Sequence, residues 1–77
     1  MIKEGIMEGL PEHLKQAMTR IFNAVVDKDS FELKETLDEL EKYEALMLCI
    51  GTAYELTVEQ EREDLVNWMG SEISKWI

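Results

Sequence analysis

The sequence predicts an all-α fold, a small antiparallel bundle of three helices with a short amino-terminal arm over residues 1–9. Homodimerisation is one way to complete it. Three observations carry this. Apolar residues recur at steps of three and four in three stretches. Cap residues stand between the stretches. One proline and four scattered glycines in 77 residues leave no flexible linker, so the chain reads as one domain.

The first helix is predicted over about residues 10–27. Leu10, Leu14, Met18, Ile21, Phe22 and Val25 fall on one face at 100° per residue. Pro11 at the first helical position costs no hydrogen bond. Ile6 and Met7 would extend the stripe, but Gly5 and Gly9 interrupt it, which makes residues 1–9 an arm.

The second helix, over about 30–51, starts from the corner VVDKDSFELKE. Asp27 and Asp29 suggest a metal loop, yet a calcium loop counted from Asp27 has Phe31 at its fifth position, Glu32 where glycine belongs and Asp38 where glutamate belongs. A helix corner fits better. Asp29 with Glu32 makes a D-x-x-E capping box, and Ser30 is an alternative cap. Leu33, Leu37, Leu40, Met47 and Leu48 then form a stripe, with Glu44 in the place of a further apolar residue. The run from Ala45 to Ile50 is apolar on every side and must be covered on every side. A three-helix bundle leaves one side of each helix in water, so this run is expected to meet the arm or another chain. Gly51 either ends the helix or admits a close neighbour.

The third helix is predicted over about 58–76, from a capping box of Thr57 and Gln60. Val58, Leu65, Val66, Met69, Ile73, Trp76 and Ile77 cover about 120° of one face. Trp68 lies about 60° outside that stripe, beside Glu72, and is the first candidate for a contact residue. The plainer alternative folds its ring back over the edge of the core.

Composition narrows the function. The net charge of −9 sits in two blocks: residues 27–44 hold eight acids and three bases, and residues 55–64 hold five acids and one base. Each block opens a predicted helix, where the dipole favours carboxylates. Such a charge repels nucleic acid and anionic membranes, and favours a partner with a basic surface. No apolar run reaches the length of a membrane span. The single Cys49 excludes an internal disulfide and fits a small buried hydrophobe in a reducing compartment, so a cytoplasmic location is expected.

Catalytic patterns are wanting. His13 is the only histidine, which excludes a two-histidine zinc site within one chain. The glycines form no phosphate loop. Adjacent carboxylates such as Asp38 with Glu39, or Glu63 with Asp64, point to different sides of a helix. Glu44 would have a raised pKa if buried and would suit a basic residue of another chain; on a rim it would be solvated. No catalytic residue, metal or cofactor is expected.

Two functions remain. The first is a non-catalytic interaction or regulatory protein that binds a protein partner through Trp68, Glu72, Glu44, Leu46 and Ile50. The alternative is an inhibitor that imitates nucleic acid, with Glu35, Asp38, Glu39, Glu41, Glu59, Glu61, Glu63 and Asp64 standing in for phosphates. In size, charge and helix content the chain is similar to small acidic accessory proteins of phages and plasmids. No motif ties it to one family.

Overall fold

The computed structural model describes residues 9–76, and these are helical without a strand. The all-α class is as expected, but the helices number four: α1 (Glu12–Val26), α2 (Ser30–Asp38), α3 (Lys42–Tyr54) and α4 (Glu63–Trp76), with a π-helical turn, Glu55–Glu59, continuing α3. The arm expected over residues 1–9 lies, apart from Gly9, outside the described residues, as does Ile77.

Helix α1 is the hub. It packs against α2, α3 and α4, and it buries Leu14, Ala17, Met18, Ile21, Phe22, Ala24 and Val25. Leu33 and Leu37 of α2, Ala45 and Leu48 of α3, and Leu65 and Met69 of α4 join the same core. The stripe predicted for the first helix is therefore the inward face. Leu10 precedes the helix and packs on the core from outside it.

The corner after α1 uses both aspartates for capping. Asp27 is the C-cap of α1. Lys28 follows with φ 53°, its N–H donating to the Val25 carbonyl at 3.1 Å, while the Asp29 N–H donates to the Ala24 carbonyl at 2.8 Å. This pair of bonds is a Schellman motif, which satisfies carbonyls that the helix end leaves open. The Asp29 carboxylate then accepts from the Glu32 N–H at 3.1 Å and so starts α2. The reverse half of the predicted capping box is replaced by an ion pair, because Glu32 accepts from Arg20 Nε at 3.0 Å.

The single second helix predicted over 30–51 is corrected to two. Helix α2 stops at Asp38, and Glu41 has extended backbone (ψ 149°) as the N-cap of α3. The break divides the acids of this stretch between two helix ends. It places Glu41 and Glu44 at the start of α3, where the dipole favours them, but leaves Asp38 and Glu39 at the unfavourable end of α2. Both of those acids receive a donor from another helix. Arg20 Nη1 donates to Glu39 at 2.8 Å, and Trp76 Nε1 donates to Asp38 at 2.7 Å.

The third helix starts later than expected. Thr57 and Gln60 form no capping box: Thr57 lies within the π turn, the Gln60 N–H donates to the Glu55 carbonyl, and the Gln60 side chain donates to the Glu55 carboxylate at 2.9 Å. Both contacts span five residues, the spacing that a π turn brings into line. The chain reverses at Glu61, φ 53°, before α4 begins at Glu63. Thr36 and Thr52 are buried and donate to the carbonyls of Glu32 and Leu48, four residues back in each case.

Candidate functional site

Helix α3 has two apolar faces. Ala45, Leu48, Cys49 and Thr52 are buried, and on a 100° helical wheel they centre on one direction. Tyr43, Met47, Ile50 and Tyr54 centre about 180° from it, within roughly 60° of one another. These four are 78, 36, 71 and 55% exposed. They follow one another at spacings of four, three and four residues, the repeat that helices use when they pair side by side.

The exposure follows from the packing. Helix α3 rests on α1 with one face and runs into the π turn at its end, so its opposite face has solvent in front of it. Val58, within the π turn, is exposed as well. The stripe from Tyr43 to Tyr54 runs about 16 Å at 1.5 Å per residue. From the side-chain areas and these exposures it offers on the order of 500 Å² of surface, the size of the largest and often functional patch on a small monomer.

The residues expected to bind a partner do not all meet here. Ile50 is in the centre of the stripe. Leu46 and Glu44 are half-buried on its two flanks. Trp68 is half-buried and packs on the core from α4, so its ring covers the core edge. Glu72 is half-buried on the same helix and paired with Lys75 at 3.1 Å. Met47, assigned by sequence to the inward stripe of the second helix, points outward instead. The phase was carried from Leu33 and Leu37 through residues 39–41, and the corner there resets it. Tyr43 and Tyr54 complete the stripe and were missed; their spacing from Met47 and Ile50 was the available signal.

The acids of the alternative reading divide into groups. Asp38 and Glu39 hold Trp76 and Arg20, Asp64 pairs with Arg62 at 2.9 Å, and Glu59 is half-buried. Glu35, Glu41, Glu61 and Glu63 are exposed. The hydrogen bond from Arg20 lowers the Glu39 pKa, and that from Arg62 holds Asp64 down at about 2.

Two further features stand apart from this stripe. Burial pushes the Cys49 thiol up to about 11, which leaves it protonated at neutral pH. A groove of about 340 Å³ lies between α2 and α4, lined by Phe31, Leu33, Leu37 and Trp76 with Lys34 and Lys75 at its edge. Among the described residues no three His, Cys, Asp or Glu side chains gather into a metal site, and no helix is long and apolar enough to cross a membrane. Compared with protein-family models, curated proteins and solved structures, the chain matches none.

Proposed function

We propose that this protein is a non-catalytic interaction module that presents the outward face of α3 to a protein partner. One observation carries the reading: Tyr43, Met47, Ile50 and Tyr54 stand exposed in line along a helix whose other face is already buried. Aromatic residues and methionine are enriched in the cores of protein interfaces, and tyrosine combines a large contact area with few rotatable bonds. The face bears no charge between Tyr43 and Tyr54, so desolvating it costs little.

A photo-crosslinking residue placed at position 50 tests this in cells of the source organism, with the same residue at the exposed position 16 of α1 as the control. Adducts formed at position 50 and not at 16 support the reading. Equal adducts at both positions, or none at position 50, contradict it.

A further inference from the structure

We infer that the outward face of α3 is occupied by a second copy of this chain, related by a two-fold axis that sets the two α3 helices antiparallel. This rests on the interaction reading above and names its partner.

The pattern of the stripe carries the inference. In sequence it runs Tyr43, Met47, Ile50, Tyr54, symmetric about its midpoint between Leu48 and Cys49. A second α3 laid antiparallel on that midpoint sets Tyr43 against Tyr54 of the other copy, and Met47 against Ile50, at both ends alike. A two-fold interface requires this self-complementarity, since each residue must match its counterpart twice. Any stripe spaced four, three and four has this symmetry of position; what is particular to this one is that like residues meet in it, a tyrosine closing each end and the large apolar Met47 and Ile50 facing each other between them.

The flanks agree with the same register. Leu46 and Ala53, at similar angles on one side of the stripe, come beside Ala53 and Leu46 of the other copy. On the other side Glu44 comes beside Gly51, which has no side chain to obstruct it. The two Glu44 carboxylates stand about 13 Å apart along the axis, beyond the screening length of physiological salt. The stripe is wide enough as well. Covering all of the exposed area of the four outward side chains on both copies would bury at most roughly 1,000 Å², about the threshold for a specific interface, with the flanking residues adding to it.

Net charge opposes the pairing. Each chain carries −9, so two copies repel at long range, although the central stripe of each paired face is uncharged and Glu44 is the acid at its flank. Added salt screens that repulsion and therefore tightens the dimer. A basic partner would show the reverse, because salt weakens attraction between opposite charges.

Sedimentation equilibrium of the full chain, from micromolar to millimolar concentration and at low and high salt, tests the inference. The expected result is a concentration-dependent rise to twice the 9.0 kDa chain mass, with at least a severalfold lower dissociation constant at high salt. Ile50→Glu should remain at the monomer mass with unchanged helicity by circular dichroism, whereas Gln16→Glu, which adds the same charge at an exposed site on α1, should dimerise within about twofold of the parent after allowance for charge. Mixing Ile50→Glu with Met47→Lys should restore a one-to-one dimer, because the antiparallel register opposes those two positions. A parent chain that is monomeric throughout, an Ile50→Glu dimer as tight as the parent, or a mixture that stays monomeric would each overturn the inference. Should the parent be monomeric while position 50 still crosslinks to another protein, the interaction reading stands without the second copy. No adduct at position 50 would remove both.

Discussion

The two faces of α3 are made of the same kind of residue and have opposite fates. Inward, Ala45, Leu48 and Cys49 are buried against the hub helix; outward, Met47 and Ile50 are exposed between two tyrosines. Hydrophobicity alone does not separate them, which is why the run from Ala45 to Ile50 looks apolar on all sides. Size and position do. The inward face includes two small residues, Ala45, which is fully buried, and Cys49, while the outward stripe has none between Tyr43 and Tyr54. On the reading proposed above, one face serves the chain's own fold and the other is left for a neighbour.

Substitutions on opposite faces should therefore differ in kind, and equilibrium urea unfolding can measure the contrast. Leu48→Ala removes a fully packed side chain and is expected to lower stability by about 2–5 kcal/mol. Ala45→Leu, with no space for a larger group, should lower it by about 1–3 kcal/mol. Ile50→Ala, one and a half turns from Ala45 on the other face, should change the monomer by no more than about 0.5 kcal/mol. If Ile50→Ala were as costly as Leu48→Ala in dilute solution, the outward face would be packed within its own chain and the distinction would collapse.

Acid sharpens the contrast from another direction. Glu39 and Asp64 have pKa values lowered in the fold by Arg20 and Arg62. A lowered folded pKa gives stability that is present above the unfolded pKa of about 4 and is lost as pH falls through the folded value. Stability should therefore decline from about pH 4 to pH 2. Arg20→Gln should flatten part of that decline, while Ile50→Ala leaves its slope unchanged. Thermal melts across this range check the effect, which is the smallest of the set because both carboxylates are exposed.

Local signals were legible in the sequence where they act locally. The inward stripe of α1 and the cap at Asp29 need only the residues around them, and both appear in the structure. The break between α2 and α3 does not. It contains no glycine or proline, and the donors that hold Asp38 and Glu39 at the end of α2 come from Trp76 and Arg20, distant in the chain. The π turn was obscured for a different reason. Thr57 and Gln60 have the spacing of a capping box, but Gln60 turns back to Glu55.

The unmarked break is what hides half of the candidate site. Surplus apolar surface on the second half of the predicted helix is evident in the sequence, and Ile50, one of the residues expected to bind a partner, is exposed in the structure. Carrying the helical phase through residues 39–41 sent Met47 to the wrong face. Trp68 stands out in the sequence because it lies outside the core stripe of its helix, whereas Tyr43 and Tyr54, flanking an apolar run, look like its ends. In the structure the tryptophan closes the core and the tyrosines frame the open face.

The most direct test of the central claim is thiol labelling of Ile50→Cys in a Cys49→Ala background, followed from low micromolar to millimolar protein. The account expects rapid modification in dilute solution, as for an exposed thiol, and severalfold slower modification as concentration rises and a second copy covers the face. Slow labelling at every concentration would mean that the chain itself buries position 50. Rapid labelling at every concentration would mean that no second copy covers it, and either result would contradict the account.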